Sequence, residues 1–398
     1  MDTRGPICYN DPGGMSVNIL VCNAGSTSLK FKLYEFPERR VLAAGKVERV
    51  GSRTDAIYAF QSAEIEISQS GQSVPEYMTG VKRFLTDLGP VRIDAVGFKT
   101  VLSKGFPGVH ILDEAVLAGM EDYLSVAPAH NRAYLDAISV FRSLMPETPL
   151  VGSFETAFHT TIPQERRVYG IPYELTEKYG IYKMGYHGAS HSYVASRLAD
   201  RRRVISCHLG GSGSICAILD GISVDNSFGL SLQAGILNAN RAGDIDPYII
   251  PFLVSEGMPL GDVVSALEKK GGLLGISGVS GDMRLLREAA DAGNARAKLA
   301  IDVYINGIVR YIGAYCAELG GLDAVAFTGG VGEHDARLRA EVLRQIAHMG
   351  VKLDEARNAR DEFIITTDDS RVSAHVIPAD EELGVATNTY QKLREVPL

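Results

Sequence analysis

Long apolar runs are missing from this 398-residue sequence, and so is any excess of positive charge. No stretch reaches the roughly 18 consecutive apolar residues that a membrane-spanning helix needs. Residues 1–16 contain no hydrophobic segment of the kind that directs export. The formal net charge of −8 argues against a surface for nucleic acid or anionic lipid, although local cations can still bind an anionic substrate. We therefore expect a cytoplasmic protein with neither a nucleic-acid nor a membrane partner.

Cysteine is scarce as well. The chain has five cysteines, Cys8, Cys22, Cys207, Cys216 and Cys316, and no two of them have the CxxC spacing of metal and redox motifs. Three of them lie in apolar, strand-like runs. We therefore predict buried, reduced thiols rather than disulfides or metal ligands.

The overall composition is that of a globular protein, with 45% hydrophobic and 22% charged residues. A chain of this length is sufficient for two domains, each with a core of its own. We interpret residues 1–16 as a flexible N-terminal extension and place the domain boundary near residue 157.

Glycine-rich turns between apolar runs are the most informative feature. In residues 208–221, HLGGSGSICAILDG, an apolar run stops at glycines and serines, and a second apolar run leads into an Asp-Gly turn. Glycine allows positive φ and lets a ligand approach the backbone, and amides splayed around such a turn bind anions, usually phosphate. A hairpin bend without a ligand is the alternative interpretation of this segment alone.

A second turn of this kind lies near the N-terminus, within residues 17–36. Its residues 23–28, NAGSTS, offer hydroxyls, an amide and backbone donors, with Lys30 beside them. Neither turn has the GxxxxGK[ST] pattern of a P-loop. Two such hairpins suggest a duplicated domain that binds a nucleotide, as in the actin, hexokinase and Hsp70 architecture. This analogy concerns the fold and names no reaction.

Strand-like and helical patterns alternate along the chain, which indicates α/β layers with helices packed on mixed sheets. Strands are predicted at 41–50, 63–68, 93–98, 149–154 and 204–209, and residues 324–333 are predicted to be a strand that leads into a Gly-rich turn. Helices are predicted at 113–125, 131–144, 187–202, 247–256, 260–269, 292–319 and 335–348.

Several segments together resemble the acetate kinase family (acetate and propionate kinases), in the order in which that family has them. They are NAGSTSLKF in the first hairpin, FETAFHTTIP (154–163), GYHGASH (185–191), CHLGGSGS (207–214), NRAGDIDP (240–247), GLLGISGVSGDMR (272–284), FTGGVGE (327–333) and IPADEEL (377–383). The match extends from residue 17 to the last helix.

This resemblance implies a duplicated ribonuclease-H-like fold of two domains. Residues 17–157 with 384–398 would form an acyl-site domain with the first phosphate hairpin, and residues 158–383 a nucleotide-binding domain. The implied reaction is reversible, in-line phosphoryl transfer from ATP to a short-chain carboxylate, acetate or propionate by default, which gives an acyl phosphate and ADP. Mg²⁺ or Mn²⁺ is the implied metal. The implied assembly is a homodimer, and the apolar faces of helix 292–319 are compatible with one.

Such a reaction needs little acid–base help, because the carboxylate nucleophile is already ionised. The enzyme must instead bring two anions together and neutralise the transferring group with cations. Arg241, His187 and His208 match the family positions that hold this group. An ion pair of Arg241 with Asp244 or Asp246 is the alternative for the arginine, and burial in the core is the alternative for the histidines.

The resemblance assigns the remaining site residues by position. The catalytic residues would be Glu155, Arg241 and His187. The acyl group would be bound by Lys99, Val101, Ala129, His130, Tyr186 and Leu232. The nucleotide and its phosphates would be bound by Asn23, Ser26, Ser28, Lys30, His208, Gly210, Gly211, Ser212, Asp282, Met283, Arg284, Gly329, Gly330, Val331 and Gly332. For the metal, hard oxygen ligands are expected, and the carboxylate candidates are Glu381 and Glu155, while Asn23 would orient metal-bound water or phosphate. A helix-dipole role is the alternative for Glu381.

The sequence departs from the family mainly in the acyl site. Lys99 stands where the family has its carboxylate-binding arginine, and Glu155 where it has an aspartate. Alanine replaces leucine at position 129, tyrosine replaces phenylalanine at 186, leucine replaces proline at 232, and Gly211 and His334 replace asparagines. A lysine offers a point charge and an arginine a bidentate fork, so the first change is not conservative.

Three functions follow from these observations. The first is an ATP-dependent acetate or propionate kinase, and the second is a kinase retuned for another small acid. In the second case the shorter cation at position 99 and the longer acid at position 155 compensate each other if they face one another. The third is a nucleotide-binding protein with weakened or lost transfer activity.

Overall fold

The structure is a computed structural model that describes residues 16–124 and 128–395, and the side chains of residues 128–130 are outside that description. The N-terminal extension and the acyl-site positions Ala129 and His130 therefore lie outside what is described. The chain divides into two compact units. Unit 1 runs to Ala157 and resumes at Glu381, and unit 2 comprises Phe158–Asp380. The sequence analysis places the return of the chain to the first domain at residue 384, whereas in the structure it occurs at Glu381.

Unit 1 is built on a mixed eight-stranded sheet with the order β5-β4-β3-β2-β1-β6-β8-β7. Its strands are β1 (Val17–Gly25), β2 (Ser28–Phe36), β3 (Arg40–Glu48), β4 (Ser52–Ser62), β5 (Glu66–Val74), β6 (Ala95–Thr100), β7 (Val109–Ile111) and β8 (Leu150–Phe154). Strand β1 is central: it pairs antiparallel with β2 and parallel with β6. Its residues Ile19–Cys22 are fully buried, as expected for a strand that is covered on both faces.

The helices of unit 1 are α1 (Tyr77–Leu88), α2 (Glu114–Asp122), α3 (Pro128–Leu144) and α15 (Glu381–Glu395). Helix α2 begins where the Asp113 carboxylate accepts a hydrogen bond from the backbone N–H of Val116, which satisfies a donor of the first turn. Helix α15 brings the C-terminal segment against β1, β6 and β8. Unit 1 therefore contains both ends of the described chain.

Unit 2 has a five-stranded sheet with the order β11-β10-β9-β12-β13. Its strands are β9 (Arg203–His208), β10 (Ser214–Leu219), β11 (Ile222–Asn226), β12 (Ala324–Thr328) and β13 (Ser373–Val376). Its helices are α4 (Gln164–Arg167), α5 (Tyr173–Tyr179), α6 (Gly188–Arg197), α7 (Ile249–Ser255), α8 (Leu260–Lys269), α9 (Gly272–Ser277), α10 (Met283–Asp291), α11 (Ala295–Glu318), α12 (Gly329–His334), α13 (Ala336–Gln345) and α14 (Glu355–Ala359).

The main core of unit 2 forms between its sheet and the long helix α11. Asn294 caps this helix by accepting hydrogen bonds from the backbone N–H groups of Arg296 and Ala297. The buried face of α11 includes Ala300, Ile301 and Ile308, which join strand residues in one apolar cluster. Helix α11 therefore forms the main core of unit 2 together with the sheet.

The two sheets repeat the same motif. In unit 1, β3-β2-β1 are antiparallel neighbours and β1-β6-β8 are parallel neighbours. In unit 2, β11-β10-β9 and β9-β12-β13 repeat this order and these directions. The predicted fold class, a duplicated ribonuclease-H-like α/β fold with mixed sheets flanked by helices, is confirmed. No described helix is long and apolar enough to cross a membrane.

Several sequence-based elements need correction. Residues 63–68 were predicted as one strand, but they contain the turn between β4 and β5. Helix 292–319 begins only at Ala295, and the separate helix α10 precedes it. The Gly-rich segment after β12 is a short helix, α12, rather than an open turn. Helix 187–202 ends at Arg197.

Candidate functional site

The first hairpin of unit 1 turns within two residues. Gly25 pairs directly with Ser28, so Ser26 and Thr27 form the exposed tip, as the sequence predicts for a strand–turn–strand corner. A Cβ built on Gly25 would lie 2.7 Å from the Ser28 hydroxyl oxygen, so a side chain at position 25 would crowd this hydroxyl. Lys30 lies opposite Asn23 in the register and is exposed. Ser26, Ser28, Lys30 and Asn23 are therefore grouped on one hairpin.

Polar side chains gather where the parallel strands of unit 1 end. Asn23 lies near the end of β1, Lys99 near the end of β6, and Glu155 directly after β8. The backbone N–H of Glu155 donates to the carbonyl of Thr100 at 2.9 Å, which holds the β8 end beside β6. Because ligands of α/β sheets bind at the carboxyl ends of such strands, this edge is a candidate site.

A lysine joins two carboxylates at this edge. Lys99 Nζ lies 2.6 Å from an oxygen of Glu381 on α15 and 3.0 Å from an oxygen of Glu155. Burial alone would lower the pKa of Lys99. The two nearby carboxylates raise it by more than burial lowers it, so the pKa of Lys99 lies well above its usual value. Lys99 is therefore a permanent cation at neutral pH, and the predicted metal ligand Glu381 is in contact with it.

Tyr134 completes this edge, and the sequence analysis did not identify it. Its hydroxyl donates to the Asn23 side-chain oxygen at 3.1 Å. Burial raises the pKa of Tyr134, so the phenol stays protonated. Its place on helix α3 gave no signal beyond an ordinary apolar periodicity. Val101, predicted to contact the acyl group, is buried just after β6.

In unit 2 two histidines lie against each other near the second glycine hairpin. The rings of His187 and His208 stack at 4.1 Å between centroids, and both residues are only half-buried. His208 ends β9, and His187 immediately precedes α6 with φ of 58°. Gly185 before it is required, because a Cβ there would lie 2.7 Å from the His159 ring. His187 and His208 are therefore not core residues, whereas His159 and His191 are fully buried.

Serine hydroxyls orient these rings. The hydroxyl of Ser214 lies 3.0 Å from His187 Nδ1 and 2.8 Å from Nε2 of the buried His191. The hydroxyl of Ser190 lies 2.8 Å from His208 Nδ1. The motifs that carried the resemblance contain both serines, but the sequence analysis assigned them no role. Burial lowers the pKa of His191 well below its usual value, so this ring is neutral.

Arg241 reaches the same loop. Its Nη2 donates to the Ser212 hydroxyl at 2.5 Å, and its guanidinium lies 5.9 Å from the centre of the Phe228 ring. The proposed ion pair with an aspartate is not formed: Asp244 accepts from the Gly235 backbone and the Tyr311 hydroxyl, and Asp246 from the Tyr248 backbone. Burial lowers the pKa of Arg241, but an arginine remains charged at neutral pH.

A cavity of about 960 Å³ in unit 2 is lined by residues of the second hairpin, of α10 and of α12. Of the predicted nucleotide residues, Gly210, Gly211, Asp282, Met283, Arg284, Gly330 and Val331 line it, as does His334. Gly329 has φ of 76°, and a Cβ there would lie 2.7 Å from the Leu209 carbonyl, so this glycine lets two backbones approach. Asn240, Arg287 and Tyr304 also line the cavity and were missed by the sequence analysis.

Asp282 and Arg284 form a pair at the mouth of this cavity. Asp282 caps α10 by accepting from the Arg284 backbone N–H, and the Arg284 guanidinium contacts its carboxylate at 2.6 Å. The Arg284 side chain and these backbone donors lower the pKa of Asp282 to about 2. Tyr186 and Leu232, predicted for the acyl group, lie elsewhere in unit 2: the Tyr186 hydroxyl donates to the Leu230 carbonyl at 2.7 Å.

Comparisons with known proteins identify the family of this chain. Residues 18–387 match the model of the acetokinase family. The chain is 40% identical over 389 residues to an acetate kinase of Shouchella clausii, covering 93% of this chain and 98% of that protein. It is 39% identical over 386 residues to an acetate kinase of Bacillus subtilis, covering 92% and 97%.

Two solved structures are similar over nearly the whole chain. One is an acetate kinase of Porphyromonas gingivalis, with a TM-score of 0.84 and 34% identity over 95% of this chain and 100% of that one. The other is a propionate kinase of Francisella tularensis, with a TM-score of 0.85 and 33% identity over 94% and 98%. On these matches, the chain belongs to the acetokinase family.

Proposed function

We propose that this chain is a kinase that transfers the terminal phosphoryl group of ATP to acetate or propionate, reversibly and in the cytoplasm, where ATP is available. A carboxylate oxygen forms a bond to the γ-phosphorus while the bond to the β,γ-bridging oxygen breaks, so the products are an acyl phosphate and ADP. No proton has to be removed, because the carboxylate is ionised at neutral pH. The activities named for the family's other members, acetate kinase and propionate kinase, support the proposal.

The observation that carries the proposal is the group of nitrogen donors beside the second hairpin. Arg241 is fixed to Ser212, and the stacked pair of His187 and His208 adjoins the same loop. Preorganised donors of this kind stabilise the charge that a transferring phosphoryl group carries. We assign these three residues to that group, and the cavity lined by Gly210, Gly330 and their neighbours to the nucleotide.

We assign the acceptor and the metal to unit 1. The carboxylate of Glu381 and the amide oxygen of Asn23 are hard donors that suit Mg²⁺ or Mn²⁺, and a metal on Glu381 would share this carboxylate with the ammonium of Lys99. The described residues contain no cluster of three metal-ligating side chains, so phosphates and water would complete the shell. When bound, the metal would neutralise phosphate charge. Lys99, Val101 and Glu155, with Ala129 and His130, are proposed for the acceptor.

A kinase for another small acid is the second candidate. It is favoured by Lys99, whose single ammonium group contacts two carboxylates at the position where the resemblance expects an arginine. Lysine cannot grip a carboxylate with a bidentate fork, so the acceptor would be held differently. Measuring the activity with a panel of carboxylic acids distinguishes this candidate from an acetate or propionate kinase.

A homodimer is part of the proposal. Helices α7 and α8 of unit 2 expose large apolar side chains on neighbouring turns: Tyr248 is 78% exposed, Phe252 60% and Leu260 58%. Large exposed apolar side chains on two helices that contact each other favour a protein interface at this place. Helix α11, whose apolar faces the sequence analysis found compatible with a dimer, exposes Leu299 and Val303.

The experiment that tests the function is a hydroxamate assay for acyl phosphate with ATP and Mg²⁺. We expect product with acetate or propionate, and formate, butyrate and a 2-hydroxy acid complete the panel. Arg241→Met should reduce kcat at least 100-fold because it removes a charge from the transferring group. The matched control is Arg202→Met, because Arg202 forms an exposed ion pair with Asp220 and has no assigned role in the reaction. ADP binding without acyl phosphate from any acid would contradict the proposal.

A further inference from the structure

The short helix α12 forms part of the wall of the cavity in unit 2. Three of its six residues line that cavity: Gly330, Val331 and His334. A helix leaves its last four carbonyl groups without partners inside the helix. Two of these, the carbonyls of Gly332 and Glu333, accept hydrogen bonds from Nη1 of Arg339 on α13, at 2.9 Å and 2.7 Å. The last turn of this wall is therefore held by a side chain of the next helix.

Arg339 is fully buried and uses all of its hydrogen-bond donors. Its Nε donates to the Asn358 side-chain oxygen at 2.8 Å, and its Nη2 donates to the Asn358 carbonyl at 2.9 Å and to the Asp361 carboxylate. With the two bonds to α12, all five N–H groups of the guanidinium are engaged. A buried charge is costly even when it is paired, and an apolar side chain of similar volume fills a core without that cost. What the arginine adds over such a side chain is the set of bonds that joins α12 to α14.

The beginning of α12 is held independently of Arg339. The backbone N–H groups of Val331 and Gly332 donate to the Leu209 carbonyl in the second hairpin, at 2.9 Å and 3.1 Å. Loss of the guanidinium would leave these bonds in place and act on the last turn of α12, which contains His334. Arg339 itself is not among the residues that line the cavity. Any effect of Arg339 on a ligand in the cavity must therefore act through α12.

We propose that Arg339 is a positioning residue for nucleotide binding, which fixes the last turn of α12 so that this wall of the cavity fits ADP or ATP. This inference rests on the proposed function, because it presupposes that the cavity takes a nucleotide. A site binds well only if the elements that carry its groups are held close to the productive geometry. The planar guanidinium supplies this rigidity, because its fork fixes the carbonyls of α12 and the partners on α14 at once.

Two substitutions separate positioning of α12 from the stability of its surroundings. Arg339→Lys keeps the charge but replaces a fork of five donors by an ammonium group with three, so the bonds to α12 and α14 cannot all be kept. Arg357→Met is the matched control on α14. The Arg357 guanidinium donates to the Thr366 carbonyl at 2.9 Å and to the Asp368 carboxylate at 2.8 Å, and these contacts do not involve α12. Both variants should lower the melting temperature, and only Arg339→Lys should alter the wall of the cavity.

The test is calorimetric titration of the full chain and both variants with ADP, at a temperature at which circular dichroism shows each protein to be folded. Thermal unfolding and the KM for the carboxylate acceptor at saturating ATP are measured alongside. We expect Arg339→Lys to bind ADP about tenfold more weakly, while its KM for the acceptor stays within about twofold of that of wild type. A purely structural role would lower the melting temperature and leave the ADP affinity of the folded protein unchanged, and this is the result we expect for Arg357→Met.

A milder variant covers the case in which Arg339→Lys does not fold. The Asp361 side chain is 42% exposed, and its φ of 52° is one that asparagine adopts readily, so Asp361→Asn should fold. It removes the charge that holds Nη2 of Arg339 and leaves the bonds to α12 possible. We therefore expect a smaller loss of ADP affinity, about threefold.

Each other outcome has a definite meaning. ADP affinity equal to that of wild type in Arg339→Lys, or in Asp361→Asn if the lysine variant does not fold, would overturn the assignment of Arg339. An equal loss of ADP affinity in Arg357→Met, or an equal rise of the acceptor KM in Arg339→Lys, would overturn it as well, because the effect would then not be specific to α12. Wild-type protein that does not bind ADP would overturn the proposed function itself.

Discussion

Lys99 Nζ and a carboxylate oxygen of Glu155 lie 3.0 Å apart at the carboxyl ends of β6 and β8. The resemblance leads us to expect an arginine and an aspartate at these two positions, so relative to that expectation the cation is shorter and the acid is longer. Their contact gives the departures a common physical cause, because the added methylene of Glu155 closes the distance that lysine leaves. The two residues therefore form one ion pair at this edge of the sheet.

The first prediction is that these positions are coupled. Lys99→Arg should crowd Glu155, and Glu155→Asp should pull a carboxylate away from Lys99, so each alone should lower kcat/KM about tenfold. The double variant restores the family pair and should lose much less than the product of the two losses, with a coupling of about 1–3 kcal/mol. Steady-state kinetics of the four proteins measures it. A double variant equal to that product would show independent sites.

The second prediction concerns the metal. Glu381→Gln removes a carboxylate charge, and we expect the Mg²⁺ concentration for half-maximal activity to rise about tenfold or more. Binding of Mn²⁺ to the nucleotide-loaded protein, followed by electron paramagnetic resonance, should weaken in parallel. The control is Glu382→Gln in the same first turn of α15. If both substitutions, or neither, weaken Mn²⁺ binding, Glu381 is not a metal ligand.

The fold was predictable where the pattern of apolar residues is simple. Strands β1, β9 and β12 are apolar runs because they are covered on both faces, and the duplication could be predicted from their two hairpins. Strand β4 was not predicted, because only three of its eleven residues are buried. Helix α10 was not predicted either: it buries only Met283 and Leu286, and its N-terminal cap Asp282 was interpreted as part of a nucleotide motif.

The candidate site was predictable in its members but not in their contacts. Family motifs identified Lys99, Glu155 and Glu381 one by one. The bond between Lys99 and Glu381 joins residues 282 positions apart, which only the return of α15 to the first unit creates. Tyr134 belongs to no motif at all, and its contact with Asn23 depends on where its hydroxyl points after packing.

The third prediction concerns Ser214, which is fully buried between His187 and His191. Its hydroxyl has one proton, so it donates to one ring and accepts from the other. Ser214→Ala removes the bond that orients His187, and we expect kcat to fall about tenfold while ADP affinity is unchanged. Ser206→Ala removes the other partner of His191 and leaves His187 bonded, so its loss should be clearly smaller. Equal losses would contradict an orienting role for Ser214.

The fourth prediction is an acid sensitivity due to His159. Burial lowers the pKa of this histidine to about 4, whereas the unfolded chain protonates it near pH 6.5. Between these values the unfolded state binds the additional proton, so the free energy of unfolding should fall as the pH drops from 6.5 to 4, by up to about 3 kcal/mol. His159→Gln should make this slope shallower in denaturant titrations across that range, while the buried His191 still contributes to it. The stability of the variant at pH 8 gives the cost of the substitution itself. A slope as steep as that of wild type would assign the sensitivity to other groups.

The fifth prediction distinguishes two surfaces for the homodimer. Phe252 on α7 and Leu299 on α11 are both exposed apolar residues, and a charge in a packed apolar interface is strongly unfavourable. If α7 and α8 form the contact, Phe252→Asp should give monomers in light scattering, whereas Leu299→Asp should leave the wild-type mass. The opposite result would return the contact to α11. Unchanged mass in both variants would exclude both surfaces, and circular dichroism of each variant verifies that it is folded.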